Sequence, residues 1–353
     1  MVRSPRAAAR ATSSGSTAPV ATAAPAAAAS PAVGGPLPTG PAVLEAARKE
    51  GSVLYYTSID LQYHATVAKA FAEKTGGVKL ELQRLASGET YNRIMREYQS
   101  SLKTADVIEG IFSQFAEYKQ KGMLTLYKPA EAAKHATKFD DPEGYYAVQR
   151  GSVYTLVYNT KLVTGADIPK SWRDAADPKW KGKISICSPL VSAGCLEQLL
   201  VLTDLYGWQY LEKLKANDVL VVGSAVEPVN KANAGERPLG IGGVTSNVGQ
   251  LAAGGNPVAI AWPEEGNVAA VLGAGIVSNA PHPNAAKALI DFLHSPENQQ
   301  LQADAYFQVP SSNVKLPPGA KTLAEIKLLN IPEERFNKEN AAFKEKWKDL
   351  FGG

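Results

Sequence analysis

The sequence predicts an α/β protein of two lobes, and three observations predict it. From Val43 onward, strand-like and helix-like segments alternate in a βαβαβ rhythm, which argues for a mostly parallel sheet covered by helices. A second set of the same kind follows Gly151, and no internal repeat relates the two sets. At 353 residues and 45% apolar content, the chain is long enough to bury a core in each half.

Each element follows from its pattern. Residues 42–51 (AVLEAARKEG) have the spacing of a short helix stopped by Gly51, and 52–58 (SVLYYTS) form a strand whose alternation sends Tyr55 and Tyr56 to opposite faces, both into core. In 61–77, Val67, Ala70 and Phe71 share one helical face, and Gly76-Gly77 end it. Residues 78–85 (VKLELQRL) alternate as a strand, and 88–101 resume helical spacing through Tyr91, Ile94 and Tyr98. Residues 105–111 (ADVIEGI) are a strand and 113–124 a helix with a glycine stop. In the second set, 151–160 (GSVYTLVYNT), 183–187 (KISIC), 219–222 (VLVV), 239–243 (LGIGG) and 257–262 (PVAIAW) are strands. Between them 195–207, 208–218 and 226–236 are helices. Residues 284–306 read as one long amphipathic helix, and 333–351 as a charged helical tail.

Composition excludes several classes. A net charge of +3 without a dense Lys/Arg block leaves nucleic-acid binding no electrostatic footprint. Past the N-terminus no apolar run approaches the roughly 18 residues of a membrane span. Residues 1–42 differ in kind: they hold seven of the 23 prolines and Arg3, Arg6 and Arg10, and the first acidic residue is Glu45. Such a stretch does not form a packed core. It reads either as an export signal with A-x-A-like cleavage options or as a low-complexity leader; as a signal it is atypical, because no Leu/Val/Phe-rich stretch follows the arginines. Cys187 and Cys195 have no His or further Cys at zinc-ligand spacing around them. They form a disulfide in an oxidising compartment or two buried thiols in a reducing one.

Enzyme motifs are short of parts. In GIGGVTS, residues 240–246, Thr245 stands where a dinucleotide fingerprint needs its third glycine, and no phosphate-binding loop, H-E-x-x-H or G-x-S-x-G occurs. The histidines, His64, His135, His282 and His294, are scattered, and Ser192 has no paired base, so no catalytic residue, metal site or cofactor is expected. What recurs is small polar or glycine-rich turns at strand ends: Thr57-Ser58, Ser87-Gly88, Ser192-Ala193-Gly194 and Thr245-Ser246-Asn247. In open α/β sheets a ligand sits outside the carboxyl ends of the strands, where loops enter helices. A helix start carries unpaired N–H groups and partial positive charge, so four such turns in one cleft suit an anion. The competing account of each turn is a helix cap.

Several segments together resemble the solute-binding proteins of ABC importers, in the branch of ferric-ion and phosphonate binders. They are EGSVLYYTS (50–58), ADVIEG (105–110), VYNT (157–160), PKSWRDAADPKWKGKISICSP (169–189), WPEEGNVA (262–269) and APHPNAAKALIDFLHSPENQQ (280–300). The resemblance runs from about Gly51 to Phe351. It implies a type II periplasmic-binding-protein fold, two α/β lobes joined by a two-crossing hinge, in an exported periplasmic monomer that closes over a solute and docks on a membrane permease. It places lobe 1 at 43–127 and 263–305 and lobe 2 at 128–262 and 306–353, after the 1–42 leader. Ferric members use two adjacent tyrosines after the strand matching LGIGG, with a His and a Glu from the first lobe in some. Here Thr245 and Ser246 take the tyrosine pair's place, Asp60 stands near the His and Ile111 near the Glu, so metal binding is not expected. The family's anion-binding turn is matched by Ser192, Ala193 and Gly194.

The function expected is therefore capture of a small organic anion (phosphonate, phosphate ester or carboxylate) for an ABC permease. Thr57, Ser58 and Ser87 would come from one lobe, and Ser192, Ala193, Gly194, Thr245 and Ser246 from the other. Arg150, in VQRGSV, is a candidate for bidentate pairing with the anion, against a surface arginine. Glu264, in WPEEG, is a candidate for a ligand amine, against an exposed hinge carboxylate. The alternatives are a ferric binder that recruits an exogenous anion, and a transferase or lyase on the same two-lobed fold, which would need a general base within reach of substrate.

Overall fold

The computed structural model describes residues 35–353 other than 60, 86, 103, 136, 330 and 353, with the backbone alone for 61, 62, 87, 88, 113 and 333. The expected leader falls mostly on residues 1–34, outside the described residues.

The first set comprises α1 (Pro41–Glu50), β1 (Ser52–Thr57), α2 (Leu61–Thr75), β2 (Lys79–Arg84), α3 (Ser87–Gln99), β3 (Val107–Ile111), α4 (Phe112–Gln120) and the short β4 (Leu124–Thr125). A long strand, β5 (Ala147–Asn159), opens the second set, followed by β6 (Ile184–Cys187), α5 (Ala193–Tyr206), α6 (Gln209–Ala216) and β7 (Leu220–Val222). Next come α7 (Glu227–Ala234), β8 (Leu239–Val244), α8 (Thr245–Ala253), β9 (Val258–Ala261) and β10 (Val268–Val277). Helices α9 (Pro283–His294), α10 (Pro296–Asp304) and α11 (Glu333–Phe351) complete the chain.

The strands run in the order β2-β1-β3-β10-β5-β8-β6-β7. At one end β2, β1 and β3 are parallel, and at the other β8, β6 and β7 are parallel. Between them β10 and β5 lie antiparallel to each other and to their outer neighbours. Helical crossovers place helices on both faces of the parallel strands, which is why β3 and β6 are buried along nearly their whole length.

Two cores result. One gathers Val53, Tyr55, Phe71, Val107, Ala286, Leu289 and Phe292 from β1, β3, α2 and α9. The other gathers Ile186, Leu199, Leu211, Ile241, Phe343 and Trp347 from β6, β8, α5, α6 and α11, so the charged tail carries a buried face. Tyr56 turns away from Tyr55, into a third cluster with Ile94, Phe115 and Tyr118 from α3 and α4. The chain between α10 and α11 lines the back of β5, where Gly151 and Gln308 form a bridge and Leu323 and Ile326 cover Val148 and Val153.

Three features differ from the sequence expectation, each for a physical reason. The long helix at 284–306 is two helices, because the Ser295 hydroxyl accepts the Asn298 N–H as an N-cap and Pro296 starts a new helix. Strand β10 carries no period-2 signal, since its VAAVLGAGIV is buried on both faces. The ordered fold also begins before Val43: Leu37 is buried against the first core, and the Thr39 hydroxyl donates to Asp291 at 2.7 Å.

Candidate functional site

The site is built where β1, β6 and β8 end and β5 passes between them. At the end of β1, Thr57 is fully buried and its hydroxyl accepts the Ile59 N–H, shaping its own turn. Ser58 directs both backbone N–H and hydroxyl to Glu109 Oε1, at 2.9 and 2.5 Å. Ser87 opens α3, and its side chain lies outside the described residues.

Arg150 is no surface arginine. It is 2% exposed and forms a bidentate pair with Glu109, Nη2 to Oε1 at 2.7 Å and Nε to Oε2 at 3.0 Å. Its Nη2 also donates to the Ser58 hydroxyl at 3.0 Å, and the Phe307 ring lies 4.9 Å away as a cation–π partner. The bidentate partner of Arg150 is thus the protein's own carboxylate, and its remaining nitrogen, Nη1, donates to the Ser152 hydroxyl at 3.4 Å. A bulge makes this possible: Leu272 pairs with Arg150 and Gly273 with Val148, so Gln149 is extra. The Gln149 amide then donates to Glu109 Oε2 at 2.7 Å and to the Tyr55 hydroxyl at 2.6 Å. Burial alone would raise the Glu109 carboxyl; the Arg150 charge and the donors from Arg150 and Ser58 outweigh it and hold it below the usual carboxylate range. Burial, then Glu109, pushes the Tyr55 phenol well up.

On the other side, Ser192 is the N-cap of α5, its hydroxyl accepting the Cys195 N–H at 3.3 Å. The Ala193 and Gly194 N–H groups precede the first intrahelical bond of α5. Cys187 and Cys195 are joined by a disulfide that brackets this turn, with Cα atoms 5.9 Å apart. Gly242, at φ +85°, makes room beside it: a Cβ there would come 3.0 Å from Cys187 Cβ. Gly194 is small for a reason the sequence did not give. The Tyr154 ring presses on it, and a Cβ at 194 would lie 2.1 Å from Tyr154 Cζ and 2.4 Å from its hydroxyl oxygen.

Thr245 and Ser246 open α8, which has no side-chain cap. The Thr245 hydroxyl is spent on Gln308 Oε1 at 2.7 Å, whereas Ser246 is buried in the first turn with its N–H ahead of the helical ladder. Glu264 stands apart, exposed on the turn before β10, its amide donating to the Lys170 carbonyl. Its neighbour Glu265 accepts from the Ser171 and Tyr206 hydroxyls, which fixes that turn. Asp60 lies outside the described residues. Among the described residues no three His, Cys, Asp or Glu side chains gather as metal ligands.

Residues Ser58 and Arg150 are therefore brought together, as are Ser192, Ala193 and Gly194, while Glu264 joins neither group. Glu109 and Tyr154 are the residues sequence reasoning passed over. Each had a signal: a carboxylate inside the otherwise apolar VIEGI, and a tyrosine in step with Arg150 and Ser152 on one face of β5. Both oxygens of Glu109 are occupied, so the arrangement offers hydrogen-bond donors rather than a free base.

Among the described residues no helix is long and apolar enough to cross a membrane. The chain is 26% identical, over 331 residues, to an uncharacterized protein of Haemophilus influenzae, spanning 88% of this chain and 94% of that one. It is 29% identical over 185 residues to a protein of Salmonella typhimurium named "Putative 2-aminoethylphosphonate-binding periplasmic protein", covering 50% of this chain and 54% of that one. Two solved structures share its two-lobed fold. Iron-bound HitA from Pseudomonas aeruginosa has a TM-score of 0.68 at 21% identity, covering 84% of this chain and 98% of that one. The periplasmic binding protein AfuA from Actinobacillus pleuropneumoniae, with exogenous fructose-6-phosphate bound, has a TM-score of 0.68 at 24% identity over 85% and 98%. The family description "Bacterial extracellular solute-binding protein" matches residues 103–340, and with more than half its length matched, the chain belongs to that family.

Proposed function

We propose that the protein captures a small organic anion, bearing a phosphonate, phosphate or carboxylate group, and delivers it to the permease of an ABC importer. One observation carries the reading. Helices α5 and α8 start at the carboxyl ends of the neighbouring strands β6 and β8, so two sets of first-turn N–H groups and two positive helix ends border one place. Ser192, Ala193, Gly194 and Ser246 supply that side, and the Nη1 edge of Arg150, held in place by Glu109 and Ser58, supplies the other. The names attached to the Salmonella relative and the bound state of AfuA support a phosphorus oxyanion.

In this reading the protein is an exported periplasmic monomer with no chemistry to perform. Lobe 1 (43–127 and 263–305) and lobe 2 (128–262 and 306–353) close about β5 and β10, and the permease reads the closed form. The two separate cores support independent rigid bodies. A thermal-shift screen of the purified protein against phosphonates, sugar phosphates, carboxylates, phosphate and ferric ion tests it. A ligand at a hundred times its dissociation constant adds about 2.7 kcal/mol of stability. A shift with an organic anion and none with iron is expected. A shift with iron alone overturns the reading in favour of a ferric carrier, the bound state of HitA.

A further inference from the structure

The geometry points to Tyr154 as a ligand-contacting, specificity-determining residue that makes this cleft select a tetrahedral phosphorus oxyanion over a planar carboxylate. The inference rests on the anion-capture reading and deepens it.

The argument starts from strand order. Tyr154 on β5 pairs in register with Val244, the residue immediately before α8. Strand β8 lies between β5 and β6, and adjacent strands are about 4.8 Å apart. Yet the Tyr154 ring touches Gly194, in the first turn of the helix that follows β6. The ring has therefore crossed the end of β8, and its hydroxyl stands at the opening of α5, while its backbone pairs with the residue before α8. Nothing larger than glycine at 194 permits that placement.

The phenol's surroundings keep it a donor. The Ser192 hydroxyl accepts the Cys195 N–H, and Ser192 caps the same first turn that the Tyr154 ring touches at Gly194. A phenol carries one proton to give, and from this half-buried position a ligand at the turn can take it. Burial pushes the phenol up, against the opposing influence of Ser192 and Arg150, so it stays a neutral donor. Donors then come from three elements: the α5 N–H groups, the α8 N–H groups and the β5 phenol. Three oxygens arranged about phosphorus can face donors on three sides; the acceptor sites of a carboxylate lie in one plane, so a donor out of that plane is poorly met, and a poorly met donor is costly.

Titration calorimetry on the wild type and on Tyr154→Phe decides it, with probes matched in carbon skeleton: methylphosphonate against acetate, and 2-aminoethylphosphonate against β-alanine. The substitution keeps the ring on Gly194, so the ligand-free melting temperature should stay within about 3 °C. The wild type should favour each phosphonate over its carboxylate, and Tyr154→Phe should lose about tenfold or more in phosphonate affinity with under threefold change for the carboxylate. Equal loss for both classes, or no loss, overturns the role of Tyr154 while leaving anion capture standing. A wild type that binds none of the four probes sinks the anion reading itself. Should Tyr154→Phe melt early, Gly194→Ala, which displaces the ring, must also narrow the phosphonate preference, and an unchanged preference there overturns the inference.

Discussion

Glu109 and Arg150 form a buried bidentate pair, 3% and 2% exposed, joining strand β3 to the crossing strand β5. Breaking such a pair from one side leaves an uncompensated charge in the interior, at a cost of about 3–5 kcal/mol. Arg150→Met and Glu109→Gln are each expected to lose that much in urea unfolding. The pair also sets an acid limit. The folded carboxyl of Glu109 lies below the unfolded value near 4.5, so its stabilisation is full above about pH 4.5 and is lost as pH falls through the folded value. Denaturation midpoints measured from pH 6 to 3 should fall in the wild type more steeply than in Glu109→Gln.

Ser192→Glu places a fixed negative charge at the opening of α5 while leaving the core of that half untouched. Affinity for any anion that shifts the wild-type melt should drop about a hundredfold or more, with a loss of about 1 kcal/mol in stability for the weaker cap. Titration calorimetry checks the first and thermal melting the second.

Much of the fold was legible before any coordinates. Strands and helices of the first set stand where periodicity puts them, because parallel strands with helical crossovers carry apolar runs and glycine stops that local pattern reports. Strand β10 was not, because burial on both faces erases alternation, and small residues such as Gly273 and Gly275 weaken the strand signal. At the site, the turn beginning at Ser192 announced itself through capping chemistry, which is local in sequence. The pairing of Arg150 with Glu109 spans 41 residues, and the contact of Tyr154 with Gly194 reaches across β8, so no sequence window contains either.

His294 is fully buried, with Nδ1 bonded to the Ile290 carbonyl. Burial pushes its pKa down, and Ile290, Asp140, the Ala147 backbone and Asp291 do not recover it. The unfolded chain takes up the proton first, so stability is full above about pH 6.5 and declines as pH falls toward the folded value. His294→Gln should flatten the stability profile between pH 7 and 5 in chemical denaturation, whatever it costs at pH 7.

Removing the segment before Pro41 takes away the Leu37 side chain from the first core and the Thr39 bond to Asp291. A chain beginning at Pro41 should be less stable by about 3 kcal/mol than one beginning at Gly35, as read by urea unfolding.

The disulfide between Cys187 and Cys195 has a consequence in time as well as in space. Reduction frees the loop that holds Ser192 and its neighbours, and in the chain-entropy account a loop this short contributes about 2–3 kcal/mol. Treatment with dithiothreitol should lower the melting point and weaken anion binding together. Under the anion-capture reading, a newly made chain in a thiol-rich cytosol holds this turn unstapled and scavenges little of the cell's own phosphorylated metabolites. In that reading, full grip comes only after the chain has reached an oxidising compartment.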